Sequence, residues 1–263
     1  MASSDPELAA LRARLYSLTH RGTSGDVDFY VAQASGVDSV LELGCGSGRI
    51  LTELAQAALS AGGHTQIVGL DIDPEALRLA ELALGDTPAT LVEADMRSFQ
   101  LDRQFDRIFI PYNSLYALLS DDDMVACLKT AVRHLTPTGR IIFDGYIVAD
   151  GDELESDGTD VEREFEHLTS IIDAGTRIDV FETERPSGRR YGYDAVYRYR
   201  LVYASGARDE VDITIQHHYI LESHLPTILA KSGLRALNVY GNFYGSPLGC
   251  ESPIMVVESV AAC

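Results

Sequence analysis

Residues 40–49, VLELGCGSGR, place Gly44, Gly46 and Gly48 directly behind an apolar run. Glycine has no Cβ, so a turn built from it lets a ligand touch the backbone, and the following helix directs its free amides at that ligand. Arg49 stands where the third glycine of the dinucleotide fingerprint G-x-G-x-x-G would be. The segment therefore indicates a ligand site between a strand and a helix, but not a dinucleotide site.

Strands and helices alternate on both sides of this turn. The patterning predicts strands at 40–43, 66–72, 89–95, 105–111 and 139–146, with helices at 50–61, 74–84 and 121–135. Two more helices are predicted before them, at 5–20 and 25–34, and the first has Leu8, Leu11 and Leu15 on one face. This alternation predicts an α/β fold with a Rossmann-like, doubly wound, mostly parallel sheet.

The pattern changes after residue 149. Residues 150–164 hold eight carboxylates and one arginine, without the glycine of a calcium-binding loop at its sixth position, and are predicted to be a mobile loop. Runs at 176–185, 193–203 and 210–221 predict antiparallel hairpins. A helix at 222–232 and strands at 234–241 and 253–260 follow. We therefore expect N-terminal helices at 1–36, a core formed by 37–149 and 222–263, and an inserted antiparallel sheet at 150–221.

Charge and composition exclude several classes of protein. The net charge of −19 argues against a nucleic-acid or anionic-membrane partner, since binding phosphates needs a basic surface. The four cysteines are widely spaced, so neither disulfides nor a metal site is expected. No run is long and apolar enough to span a membrane and no signal peptide is apparent, which predicts a cytoplasmic protein.

Acidic residues end the second and third predicted strands. Asp71, in GLDIDPEAL, is placed to accept hydrogen bonds from the two hydroxyls of a ribose. Asp95, in EADMRSF, can accept from the amino group of an adenine, while the amide of Met96 reaches a ring nitrogen. Each acid alone could instead cap a helix or form a turn. Their order along the chain indicates an adenosine-containing ligand.

The segments VLELGCGSGR, GLDIDPEAL, EADMRSF and FDRIFIPYNSLYAL, in this order, resemble the class I S-adenosylmethionine-dependent methyltransferases, and in particular their small-molecule N- and O-methyltransferases. The resemblance implies S-adenosylmethionine as cofactor. It implies that Gly44 and Gly46 line the methionine part, that Ile72 flanks the adenine and that Pro111 borders the sulfonium. The expected cofactor-binding set is completed by Glu42, Cys45, Asp71, Asp95 and Met96, with Tyr16 and Tyr30 reaching the cofactor carboxylate from an N-terminal helical lid.

The acceptor is expected beside the end of the fourth strand, with the insert covering it. Tyr112 and Asn113 are the candidates there, although Asn113 is equally suited to cap the next turn. His217 closes the apolar face of an alternating strand and is the candidate general base; it could also be a core histidine, with His218 as the alternative. Arg198 and Arg200 could bind an acceptor carboxylate or pair with the acidic segment.

The sequence thus predicts methyl transfer to a small-molecule acceptor, with nitrogen slightly favoured over oxygen. A monomer or homodimer without a metal is expected. Two alternatives stay open at this point: a non-catalytic S-adenosylmethionine-binding regulator or subunit, and a methyltransferase acting on peptides or proteins.

Overall fold

The computed structural model describes residues 5–148 and 164–262. Its helices are α1 (Pro6–Thr19), α2 (Asp26–Gln33), α3 (Arg49–Ser60), α4 (Pro74–Leu84), α5 (Asp121–Arg133) and α6 (Leu225–Lys231). Its strands are β1 (Ser39–Leu43), β2 (Gln66–Asp71), β3 (Thr90–Glu93), β4 (Phe105–Ile110), β5 (Leu135–Tyr146), β6 (Glu166–Asp173), β7 (Thr176–Pro186), β8 (Gly192–Val202), β9 (Arg208–His218), β10 (Leu234–Tyr240) and β11 (Ile254–Ala261).

Seven strands form one sheet in the order β10-β11-β5-β4-β1-β2-β3. The strands from β5 to β3 pair in parallel, whereas β11 runs antiparallel to both β5 and β10. Parallel pairing brings the carboxyl ends of β1, β2, β3 and β4 to the same edge of the sheet. The mostly parallel α/β fold predicted from the sequence is confirmed.

The central strands are buried on both faces, which explains their continuous apolar runs. Alternate residues of β1 enter different cores: Val40 packs with residues of α2 and α3, whereas Leu41 and Leu43 pack with residues of α5 and α6. Strand β4 does the same, because Phe109 belongs to the first core and Ile108 to the second. Helices therefore cover the sheet on both sides, as a doubly wound fold requires.

The second sheet is antiparallel, in the order β6-β7-β8-β9. Helix α1 packs on it through the face that the sequence predicts: Leu15 is 1% exposed in a cluster with Ile178, Val180 and Tyr199, and Leu8 and Leu11 contact the same cluster. The Asp5 side chain caps this helix by accepting a hydrogen bond from Glu7 N, 3.0 Å away. The N-terminal helix is thereby fixed to the inserted sheet.

Two predictions about strands were wrong. Strand β5 begins at Leu135, not at residue 139, because the segment Thr-Pro-Thr-Gly that resembles a turn continues as an irregular part of the strand beside β4. Strand β6 was not predicted at all, because its first five residues are all exposed and it has no alternating apolar pattern. The acidic loop predicted at 150–164 lies, except for its last residue, outside the described residues. No helix in the described ranges is long and apolar enough to cross a membrane.

Replacing Leu15 with alanine tests the attachment of α1 to the antiparallel sheet. Because the side chain is 1% exposed, the variant should lower the free energy of unfolding by about 2–5 kcal/mol in equilibrium urea titrations. The matched control is Leu59→Ala, a helical leucine that is 54% exposed, for which a change within about 0.5 kcal/mol is expected. Equal effects of the two substitutions would contradict the packing described here.

Candidate functional site

A cavity of about 460 Å³ lies at the carboxyl ends of β1, β2, β3 and β4. It reaches from the glycine turn across the ends of these strands to β9 of the second sheet. Its lining residues are Tyr16, Gly44, Gly46, Leu70, Asp71, Ile72, Ala94, Asp95, Met96, Arg97, Tyr112, Asn113, Ser114, Ala117, Leu118, Leu119, Asp123, Ile215 and His217. Most of the residues that the sequence proposes for the cofactor and the acceptor are therefore brought together around one space.

The glycine turn is held against β2 by Asp71. Gly46 has a φ of +52°, and its amide donates to Asp71 Oδ2 over 2.7 Å. Asp71 Oδ1 accepts from the amide of Asp73, 2.9 Å away, at the start of α4. A Cβ added to Gly46 would meet nothing within 4 Å, whereas one on Gly44 would come within 2.9 Å of Ser114 Cβ. Gly46 thus leaves space for a ligand, and Gly44 permits two turns to touch.

Two other residues of the same motif are buried in the protein. Glu42 is 2% exposed, and burial raises the pKa of its carboxyl to about 8. Its Oε2 atom has no hydrogen-bond partner among the residues that the structure describes. The Cys45 side chain packs in the core beside Leu51 and does not line the cavity. Cys45 therefore contributes only its backbone to the glycine turn.

The opposite end of the cavity combines an apolar surface with a fixed carboxylate. Ile72 is 64% exposed, and Met96 lines the same end. Asp95 accepts hydrogen bonds from the Arg97 guanidinium at 2.6 and 3.0 Å, and this cation lowers the pKa of the Asp95 carboxyl. Arg97 also donates to Asp123 Oδ1 over 3.0 Å. Arg97 and Asp123 were not predicted, although Arg97 stands two residues after Asp95 in the quoted motif.

The turn after β4 carries Tyr112 and Asn113, both with positive φ angles of 52° and 60°. Asn113 precedes a short 3-10 helix, Ser114–Ala117, but its side chain makes no capping bond there. Its Oδ1 instead accepts from the Tyr146 amide over 2.8 Å. Pro111 lies behind this turn and outside the cavity lining; its carbonyl accepts from Ser114 Oγ, 2.6 Å away.

His217 closes the cavity from β9, next to Ile215. Its Nδ1 lies 3.2 Å from the Tyr193 hydroxyl and 3.4 Å from the Tyr146 hydroxyl. Burial lowers the pKa of His217 to about 4, so its imidazole is neutral at physiological pH. His218 points away, with Nε2 2.8 Å from Asp121 Oδ1.

The two lid tyrosines have different environments. Tyr16 lines the cavity and stacks on His20, with ring centroids 3.9 Å apart. Tyr30 is 0% exposed, and its hydroxyl donates to Asp144 Oδ1 over 2.5 Å. The structure therefore does not bring Tyr30 to the cavity with the other proposed cofactor residues.

The arginines of β8 pair with carboxylates of β9. Arg198 donates to Asp212 with both bonds at 2.8 Å, and Arg200 donates to Glu210 over 2.9 Å. Both carboxylates lie directly across the β8–β9 pairing. The alternation of side chains along β8 and β9 places these charges on the same face of the sheet. The sequence contains this alternation, but it was interpreted as binding to an acceptor carboxylate or to the acidic segment.

Comparison with known proteins agrees with this geometry. Residues 40–139 match the family described as a methyltransferase domain. A putative methyltransferase of Bacillus subtilis is 31% identical over 40% of this chain and 41% of that protein. A cypemycin N-terminal methyltransferase from a Streptomyces species is 23% identical over 83% of this chain and 81% of its own length. A dTDP-3-amino-3,6-dideoxy-alpha-D-glucopyranose N,N-dimethyltransferase of Streptomyces fradiae is 27% identical over 64% of this chain and 68% of its own length.

A solved structure shares the whole fold. The S-adenosylmethionine-dependent methyltransferase of Clostridium acetobutylicum superimposes with a TM-score of 0.73 at 15% identity, covering 96% of this chain and 98% of that one. The domain match extends from β1 to the beginning of β5 and includes the glycine turn, Asp71 and Asp95. Residues 40–139 of this chain are thus a methyltransferase domain, within a fold that the chain shares with class I S-adenosylmethionine-dependent methyltransferases.

Proposed function

We propose that this enzyme methylates an amine nitrogen of a small-molecule acceptor. The observation that carries the proposal is that one cavity is shared by two sets of residues: the glycine turn with Asp71 and Asp95, and Tyr112, Asn113 and His217. A methyl donor bound along the strand ends would have its reactive end beside the turn after β4. Relatives named as an N,N-dimethyltransferase of a dTDP-amino sugar and as a cypemycin N-terminal methyltransferase support nitrogen as the acceptor atom.

The residues around the glycine turn fit S-adenosylmethionine. Gly46 leaves open space where a side chain would otherwise stand, and the Oε2 atom of buried Glu42 lacks a donor within the described part of the chain. The amino group of the methionine moiety would supply such a donor. Asp71 would accept from the ribose hydroxyls, Asp95 and the Met96 amide would bind the adenine edge, and Ile72 would pack on its face. When bound, the cofactor supplies an electrophilic methyl group on a positively charged sulfonium.

The acceptor end of the cavity suits an uncharged amine. Within the described lining, Arg97 is the only side chain with a permanent positive charge, and it donates to Asp95 and Asp123. A phosphate or carboxylate on the acceptor would therefore find no available cation there. Tyr112, Asn113 and His217 offer neutral hydrogen-bonding groups that can align the nitrogen lone pair with the methyl group, and alignment is the main contribution expected in a direct displacement.

We further propose that residues 1–36 act as a lid and that the insert at 150–221 covers the acceptor. Tyr16 reaches the cavity from α1, and Ile215 and His217 reach it from β9. Since α1 packs on the antiparallel sheet, the lid and the insert would cover the site together and exclude water from it.

A panel of matched acceptors tests the reaction. Amino sugars without a nucleotide, their hydroxyl counterparts and a short peptide with a free N-terminus are incubated with S-adenosylmethionine, and release of S-adenosylhomocysteine is measured. We expect turnover of an amine at least about tenfold faster than that of its hydroxyl partner. Preference for the hydroxyl members would contradict nitrogen as the acceptor atom. Turnover of the peptide alone would favour the peptide methyltransferase, to which the cypemycin N-terminal relative points.

Asp71→Asn tests the proposed ribose contact. Loss of the charge weakens hydrogen bonds that the carboxylate would accept, so the Kd of S-adenosylmethionine measured by calorimetry should rise about 10- to 100-fold. Asp86→Asn, on the exposed loop after α4, removes the same charge from the surface and serves as the control. Unchanged affinity in Asp71→Asn would remove Asp71 from the cofactor site.

His217→Ala tests the acceptor end separately from the cofactor. We expect kcat to fall by about tenfold or more because the acceptor loses an aligning contact, while the Kd of S-adenosylmethionine stays within about twofold of that of the wild type. Because the pKa of His217 is about 4, titration of its imidazole should leave no inflection in the wild-type pH–rate profile between pH 6 and 8. The exposed His64→Ala is the control. A loss of cofactor affinity equal to the loss of turnover would contradict this role.

A further inference from the structure

The turn after β4 has a backbone conformation that its residues rarely adopt. Tyr112 and Asn113 are consecutive non-glycine residues with φ angles of 52° and 60°. Asparagine tolerates this region, whereas a bulky side chain such as tyrosine does so only when its surroundings enforce it. Both side chains line the cavity. The interaction that enforces this conformation therefore also controls where the two side chains point.

That interaction comes from Asp144, near the end of β5. The Tyr112 amide donates to both carboxylate oxygens of Asp144 at 3.0 Å each. The Asn113 amide donates to the Asp144 carbonyl over 3.3 Å. Asn113 Oδ1 in return accepts from the Tyr146 amide. Tyr112 and Asn113 are therefore both hydrogen-bonded to the end of β5.

Asp144 also contacts the N-terminal helices. It is 3% exposed, and its Oδ1 accepts from the hydroxyl of fully buried Tyr30 on α2. The charged groups that influence it are Asp26 of α2 and Arg49 of α3, which bind each other over 2.7 Å. The Arg49 guanidinium also lies over the Tyr112 ring, 5.4 Å from its centroid. The phenols of Tyr112 and Tyr116 also interact with the carboxylate.

We propose that Asp144 is a positioning residue, whose carboxylate holds Tyr112 and Asn113 in the conformation that orients the acceptor. It does not line the cavity and acts through the backbone of the turn. This inference rests on the proposed acceptor site at that turn. It also gives Tyr30 a function: its hydroxyl donates to Asp144 Oδ1, one of the two oxygens that accept from the Tyr112 amide, and so helps to fix the carboxylate.

The geometry makes the turn sensitive to pH. Burial raises the pKa of Asp144 to about 6, so the group is ionised at pH 7.5 and protonated near pH 5. Protonation turns one acceptor oxygen into a hydroxyl and weakens its bond to the Tyr112 amide. Since the folded-state pKa lies above that of the unfolded chain, ionisation of this carboxyl lowers folding stability as pH rises through this range. The positioning role is thus maintained at the expense of stability.

The variants Asp144→Asn and Tyr30→Phe test the proposal. In Asp144→Asn the amide oxygen can still accept from the Tyr112 amide and its NH2 group can donate to the Tyr30 hydroxyl, so the protein should fold and unfold at an equal or higher temperature at pH 7.5. Glu258→Gln removes a buried carboxylate from neighbouring β11 and is the matched control. The measurements are the pH dependence of kcat/KM for an amine acceptor from the panel above, the Kd of S-adenosylmethionine, and the amide proton shift of Tyr112 by NMR between pH 5 and 8.

In the wild type, the Tyr112 amide proton should titrate near pH 6, and kcat/KM, calculated for the concentration of free amine present at each pH, should fall below that pH. In Asp144→Asn both transitions should vanish, with kcat/KM at pH 7.5 reduced about tenfold and the cofactor Kd within about twofold of the wild-type value. In Tyr30→Phe both transitions should move to higher pH, because the carboxylate loses a donor. Glu258→Gln should keep both.

A Tyr112 amide that does not titrate in the wild type, or titrates equally in Asp144→Asn, would overturn the proposal. So would a loss of activity in Asp144→Asn that follows a loss of thermal stability. The NMR titration needs no acceptor, so failure to find an amine substrate would count against the proposed function and leave this test intact.

Discussion

The close approach of two turns at one edge of the sheet determines the shape of the site. At Gly44, after β1, there is no room for a Cβ because Ser114, which follows β4, lies too close. Gly46 in the same turn donates its amide to Asp71 at the end of β2. Parallel pairing of β1 with β2 and β4 brings the carboxyl ends of these three strands together. A side chain at position 44 would separate the turns and widen the space in which donor and acceptor must meet. The glycines therefore set a distance as well as an opening.

Local patterns predicted much of this arrangement. The mostly parallel sheet follows from the alternation of strands and helices. Acids at the ends of parallel strands share an edge of the sheet, so Asp71 and Asp95 lie around one cavity with Gly46. Contacts between distant segments were not predictable. Tyr30 was assigned to the cofactor since nothing in the sequence reveals that its hydroxyl meets Asp144, 114 residues later. The same holds for Tyr146 and Tyr193, which approach His217 only because β5 and two strands of the second sheet converge.

Burial controls the charges around the cavity. The pKa of Glu42 is raised to about 8 and that of His217 is lowered to about 4, which makes both groups neutral or nearly so near pH 7. Arg49 and Arg97, which keep their charges, bind Asp26 and Asp95. The cavity lining holds three carboxylates, Asp71, Asp95 and Asp123, and one guanidinium, that of Arg97. The positive sulfonium would thus enter a space with an excess of negative charge, which favours binding of a cationic cofactor.

This environment restricts the part that His217 can take in catalysis. An amine must be deprotonated before its lone pair can attack, and alkylammonium groups such as that of lysine have a pKa of about 10.4. A neutral imidazole with a pKa near 4 is far too weak a base to remove that proton efficiently. An amine acceptor would therefore have to enter in its free form, because the same desolvation that keeps His217 neutral disfavours the ammonium form in the cavity. His217, held near the Tyr193 and Tyr146 hydroxyls, would then orient the amine, and the ammonium proton would pass to bulk water before the amine enters the cavity.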